Sequence, residues 1–228
     1  MNENDITRKP TEGKTVILWD NDGVLVDTER WYFEATREAF AGVGVTLTTE
    51  LYFEYFLSRS KGTSTFAATQ GLSEADIAAL SASRNLRYQQ MLEQEQITMD
   101  GAAETLALLR PHFTMGIVTS SRRQHFEAIH RRTGLLEYFD FVIAHGDYER
   151  SKPAPDPYLA AVARSGQPAS CCIAIEDAPR GLLAAQAATL DCWVIPTELT
   201  RRAAFSGASR VLDRITDLPA LLLHATSA

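Results

Sequence analysis

The sequence predicts an α/β protein: a parallel sheet flanked by helices and interrupted early by an all-helical insertion. Three patterns carry that expectation. Short apolar, β-favouring runs recur at 15–19, 115–118, 139–144, 171–175 and 192–195. Helical periodicity fills the gaps between the later runs, as the right-handed crossovers of a parallel sheet require. Residues 48–96 carry helical signals and no convincing strand.

Residues 1–13 form a polar lead before the first strand. From Glu29 the texture changes: Trp31, Phe33, Ala35 and Ala39-Phe40 have helical spacing, and Gly42 and Gly44 offer a stop. Ser73 followed by Glu74 and Asp76 reads as a helix start with acids in its first turn. After Asp100-Gly101 a helix is expected over 102–109, then the strand ending in Thr119-Ser120-Ser121. A helix over 122–132 should end at Gly134. Asp156 is placed as a cap with Pro157 in the first helical position, and Pro179 starts a helix running through Ala188. The expected division is an α/β core of 1–29 and 98–228, with 30–97 as the insertion.

Composition narrows the function. A 228-residue chain has ample length for a real interior. Its net charge of -7 disfavours nucleic acid as a general partner and anionic membrane surfaces. Any phosphate substrate must therefore be drawn by local cations and metal. The three cysteines, Cys171, Cys172 and Cys192, lack metal-ligand spacing and are expected as buried thiols in a reducing compartment. The polar start shows no signal-peptide pattern and no apolar run reaches membrane-spanning length, so a cytoplasmic enzyme is the expectation, with a monomer as the default state.

The strand at 15–19 ends in two carboxylates one residue apart, Asp20 and Asp22, followed by Gly23, Asp27, Thr28 and Glu29. A parallel-sheet strand delivers such acids to the rim where open α/β folds bind ligands. The pair suits a nucleophile and a proton donor around a divalent cation. A calcium loop fits poorly: with Gly23 in its glycine position, Leu18 stands where the first ligand belongs. Other strands end at Thr119/Ser120, Asp147 and Glu176/Asp177, and Lys152 follows one of them. Carboxylates, hydroxyl donors, a cation and spare acids for a metal are the parts needed to move a phosphoryl group.

Four segments in order resemble the motifs of the haloacid dehalogenase superfamily: 18–29, 117–121, 151–156 and 173–181. The likeness runs from Thr15 onward and is closest to phosphatases and β-phosphoglucomutase-like members with a small helical cap. It implies a Rossmann-like core with an inserted cap, and Mg²⁺-dependent hydrolysis of a small phosphorylated metabolite, such as a sugar phosphate. By that resemblance Asp20 attacks phosphorus and forms an aspartyl-phosphate. Asp22 protonates the leaving alcohol, later activates water, and offers its carbonyl to the metal. Ser120 or Thr119 donates to the phosphate together with backbone N–H groups after Asp20. Lys152 offsets the charge, and Glu176 and Asp177 complete the metal set with Asp20 and Asp22. Gly23, Glu29, Thr119, Ser121, Arg59 and Lys61 fall in the phosphate- and substrate-binding set, and Trp31 is expected close to the substrate when the cap is closed.

Departures sort the alternatives. A dehalogenase would lack an acid where Asp22 stands. A phosphonate hydrolase needs a Schiff-base lysine in the cap, and Lys61, the only lysine there, lies in a polar loop. Sugar-phosphate mutases share Thr28, yet Tyr32 stands at their cap histidine, and the 61–65 loop lacks their arginine after the serine. A catalytically silent binding module would typically lose an acid or the lysine, and none is missing. The five histidines show no ligand spacing and receive no role.

Overall fold

The computed structural model describes residues 15–58 and 62–223. The apolar runs become strands: β1 (Val16–Trp19), β2 (Thr114–Arg122), β3 (Phe141–His145), β4 (Cys172–Glu176) and β5 (Asp191–Val194). A two-residue β6 (Arg210–Val211) adds an edge that the sequence reading did not anticipate. All pair in parallel, in the order β3-β2-β1-β4-β5-β6.

All four residues of β1 are buried, and successive side chains go to opposite faces as a pleat requires. Ile17 and Trp19 join Met115, Ile117, Ile173, Ile175 and Trp193 in one apolar layer. Val16 and Leu18 join Val118, Cys172, Ala174, Cys192 and Val194 in the other. Helices cover both faces: α5 (Ala102–Leu109), α6 (Arg123–His130), α7 (Asp156–Ser165), α8 (Pro179–Ala187) and α9 (Leu218–Leu223). The chain builds outward from β1 in both directions, so the sheet reverses its winding there, and β1 opens into the crevice where doubly wound sheets hold ligands.

Between β1 and β2 the described chain is helical: α1 (Thr28–Ala41), α2 (Thr49–Tyr52) with a π-helical continuation (Phe53–Ser58), α3 (Gly62–Thr69) and α4 (Glu74–Gln94). Ser73 and Asp76 form a reciprocal capping box that starts α4. Phe33, Phe40, Tyr52, Phe66 and Leu80 make a separate apolar cluster within these helices. The chain leaves and rejoins the sheet side by side: Asp27 N–H donates to Ile97 O (2.7 Å), and Met99 N–H donates to Leu25 O (3.0 Å).

Several boundaries differ from expectation. The β2 strand continues through Arg122, which pairs with His145 past an irregularity after Val118, so α6 starts one residue late and ends at His130. Pro155, not Asp156, flanks α7. Asp156 is its first residue, and its carboxylate accepts from the main-chain N–H and guanidinium of Arg150. None of the three cysteines is in a disulfide, but Cys171 lies in a 3-10 turn before β4 and is partly exposed. No helix of the described residues is long and apolar enough to cross a membrane.

Candidate active site

Asp20 emerges from β1 between β2 and β4, the two strands that carry the other polar ends. Lys152 Nζ donates to Asp20 Oδ1 (2.9 Å), to Glu176 Oε1 (2.7 Å) and to Val118 O (2.8 Å). Its ammonium thus bridges two buried carboxylates and uses all three protons. Tyr158 on α7 donates to the same Glu176 oxygen (2.5 Å). Oε2 of Glu176 is buried without a partner. One carboxylate oxygen from each of Asp20, Glu176 and Asp177 falls within 4.8 Å of the others. Three hard oxygen donors and one orphaned buried oxygen fit a small divalent cation.

Two glycines make this approach possible. Gly23 has a left-handed φ of +87°, and a Cβ there would lie 2.4 Å from Asp177 Oδ2. At Gly181, on the first turn of α8, a Cβ would lie 1.9 Å from Glu176 Oε2. The amino end of α8 adds the favourable end of a helix dipole beside Glu176 and Asp177.

The Asp22 carboxylate is held by hydroxyls. Thr28 donates to Oδ1, and Ser121 (2.9 Å) and Thr119 (3.4 Å) donate to Oδ2. Thr119 is fully buried and faces Asp22, whereas Ser120 lines the cavity with a buried Oγ that has no partner. The Gly23 N–H is already bonded to the Val26 carbonyl (2.8 Å), so the contribution of Gly23 on view is its missing side chain.

Packing these acids together in a buried site raises their affinity for protons. Burial, then the charge of Glu176, pushes Asp20 up to about 6, although Lys152 pulls the other way. Asp177 is raised by burial and then by Asp20 and Glu176. Burial lowers Lys152, but Asp20 and Glu176 outweigh it and hold the ammonium charged. Such an arrangement favours added positive charge.

A cavity of about 420 Å³ opens over these groups, lined from the sheet side by Asp20, Asp22, Ser120, Lys152 and Arg180. Glu29, Tyr32, Tyr52, Phe56 and Tyr88 line it from the helices between β1 and β2. Glu29 accepts from the Tyr52 hydroxyl, and its pKa is raised by burial. Trp31, expected near substrate, instead packs on Val26, Ile97 and Ile129, while its neighbour Tyr32 reaches the cavity. Arg59 and Lys61 lie outside the described residues; the adjacent Gly62 lines the cavity.

Three groups escaped the sequence reading. Burial lowers the pKa of Arg180, and the charges of Glu29, Asp20, Asp177 and Glu176 more than offset it. The largely buried Arg84 on α4 bonds Tyr32 and Thr63 Oγ1 (2.7 Å) and lies over the Tyr32 ring. Tyr158 received no role from its sequence context, yet its hydroxyl orients Glu176. Position alone could have flagged Arg180, which falls inside the last motif.

A family model described as haloacid dehalogenase-like hydrolase matches residues 14–189. The chain belongs to that family. Protein CbbY of Rhodobacter capsulatus is 30% identical over 220 residues, covering 92% of this chain and 96% of its own. Fructose-1-phosphate phosphatase YqaB of Escherichia coli is 30% identical over 182 residues, covering 77% of this chain and 93% of its own. Among solved structures, CbbY from Rhodobacter sphaeroides in complex with phosphate superposes with a TM-score of 0.72 at 28% identity, covering 90% of this chain and 96% of that one. A mutant of the same protein has been solved with xylulose-(1,5)bisphosphate. The parallel sheet with flanking helices in this hydrolase is thus the fold of that structure.

Proposed function

We propose that this hydrolase cleaves small phosphorylated metabolites of the sugar-phosphate type through an aspartyl-phosphate on Asp20, with Mg²⁺ as cofactor. The observation that carries the reading is the convergence of Lys152 on Asp20 (2.9 Å) and Glu176 (2.7 Å) beside Asp177 and the unpartnered Ser120 hydroxyl. When bound by Asp20, Asp177, Glu176 and the Asp22 carbonyl, Mg²⁺ supplies charge neutralisation at the phosphoryl oxygens.

The chain's own groups do the rest. Ser120 is assigned as the hydroxyl that donates to a phosphoryl oxygen, since Thr119 is engaged with Asp22. Lys152 holds Asp20 in place and offsets the repulsion between carboxylate and phosphate. An Asp20 oxygen bonds to phosphorus as the ester P–O bond breaks, and Asp22 gives its proton to the departing alkoxide. Asp22 then takes a proton from water, whose oxygen displaces Asp20 and releases inorganic phosphate.

Residues 30–97 serve as the cap that excludes bulk water and selects the leaving group, with Tyr32, Tyr52 and Tyr88 as its polar aromatic wall. Tyr32 stands where mutases carry a histidine, which supports hydrolysis over phosphoryl return. The sugar phosphates named for YqaB and bound by CbbY support the substrate class.

The test is phosphate release from a panel of sugar mono- and bisphosphates with and without Mg²⁺. Release that needs the metal and disappears in Asp20→Asn is expected. Absence of release from every ester, or full turnover by Asp20→Asn, would overturn the assignment.

A further inference from the structure

Asn21 separates the two aspartates, and its side chain is fully buried on the side away from the cavity. Its main-chain carbonyl accepts the N–H groups of Leu25 (2.9 Å) and Val26 (3.1 Å), and more weakly that of Val24 (3.4 Å). This residue is therefore the hub of the turn that carries Asp20 and Asp22. Its carboxamide oxygen lies 2.7 Å from Nε2 of His130, the last residue of α6. An oxygen only accepts, so Nε2 carries the proton and the neutral ring's Nδ1 accepts from the Thr133 hydroxyl at 2.9 Å. The ring is further fixed against Phe126, at 4.4 Å between centroids.

We propose that His130 is a positioning residue: through Asn21 it fixes the nucleophile turn against the strand that carries Ser120. The reasoning rests on connectivity. Helix α6 follows β2 directly, and Ser120 lies near the end of β2. One side chain thus ties the element behind the hydroxyl to the loop behind the nucleophile, from a sequence distance of 109 residues. Burial holds the imidazole's pKa at about 4, so the link is a neutral hydrogen bond throughout the neutral range. Neither Asn21 nor His130 touches the cavity, so neither contacts substrate.

The inference rests on the hydrolytic reading for its catalytic consequence, but the anchoring itself is measurable without substrate. In His130→Leu, amide exchange of Val24, Leu25 and Val26 should accelerate at least about tenfold while that of β3 and β4 is unchanged. His130→Gln places an N–H near the former Nε2 and should restore slow exchange. On the most rapidly hydrolysed ester of the panel, kcat of His130→Leu should fall about 10- to 100-fold with KM within about threefold, since small misplacement of reacting groups acts on turnover. His130→Gln should recover most of it. Wild-type exchange at 24–26 in His130→Leu overturns the proposal whether or not any ester is cleaved. Equal kcat in wild type and His130→Leu, or a glutamine variant as slow as the leucine variant, overturns it also. Failure of the wild type to hydrolyse any ester overturns the parent reading alone, because the exchange measurement stands without it.

Discussion

Replacing Gly181 by alanine sets two effects of opposite sign against each other. The glycine is in α8, so helix propensity alone favours alanine by about 1 kcal/mol. Against this, the new methyl carbon would lie 1.9 Å from Glu176 Oε2, 2.0 Å from its Cδ and 2.2 Å from Oε1. The Glu176 side chain has little freedom to retreat, being fully buried with Oε1 held by Lys152 at 2.7 Å and Tyr158 at 2.5 Å. Displacing it breaks two hydrogen bonds to a charged group, worth about 1.5–3 kcal/mol each. The net expectation is a loss of about 2–5 kcal/mol, which for a chain of this size lowers Tm by roughly 5–15 °C. Turnover should fall at least about a hundredfold, because Lys152 loses the partner that aims it at Asp20. Urea titration followed by tryptophan fluorescence measures the first effect, and initial rates on the best ester measure the second. A Gly181→Ala protein as stable as wild type, with wild-type kcat, would falsify the idea that Glu176 is locked in place.

Other expectations follow from the same geometry. Ser120→Ala should lower kcat/KM about 10- to 1,000-fold as an oxyanion donor is lost, whereas Thr119→Ala removes one of three hydroxyls on Asp22 and should lower it less; equal effects of the two changes would contradict the assignment of Ser120. The Mg²⁺-induced rise in Tm of the wild type should vanish in Asp177→Asn, and calorimetry that finds undiminished Mg²⁺ binding in that variant removes Asp177 from the metal site. His130 has a folded pKa of about 4 against an ordinary 6.5. Because the depressed pKa belongs to the folded state, its stability contribution is complete above pH 6.5 and is lost as pH falls through about 4. Two and a half pKa units set a ceiling of about 3 kcal/mol. Asp20 and Asp177, with raised pKa values, slope the other way. The difference between wild type and His130→Gln therefore isolates the histidine; parallel stability curves from pH 7 to 4 would contradict the buried neutral ring.

The main sheet was legible because each strand is a compact apolar run ending in a polar cluster, and because the topology of alternating strands and helices is nearly forced. The acids and the hydroxyls could be named for the same reason: they sit at or just beyond strand ends, where sequence position translates directly into place, and the lysine follows in the loop after one of them. What stayed hidden depends on side chains meeting across long separations. Nothing local distinguishes Tyr158 from a packing aromatic, or His130 from any helix histidine, until α7 and α6 are laid on the sheet. Local sequence also failed to separate Thr119 from Ser120, since the choice turns on which hydroxyl faces Asp22. The exposed Arg210–Val211 strand lacks the apolar run that marked the others. Asp156 was misplaced because its carboxylate serves Arg150 rather than the helix's free N–H groups.

The central position of β1 has a consequence for biosynthesis. Val16 pairs with Thr114 on one side and Cys172 on the other. Of the described strands β1 is made before the other five, yet it is among the last to acquire both neighbours. At roughly 5–20 residues per second, it waits on the order of ten seconds or longer with one or both edges bare. For that interval a run as greasy as Val16-Ile17-Leu18-Trp19 is a template for wrong partners, and chaperone dependence of the nascent chain should trace to this one segment.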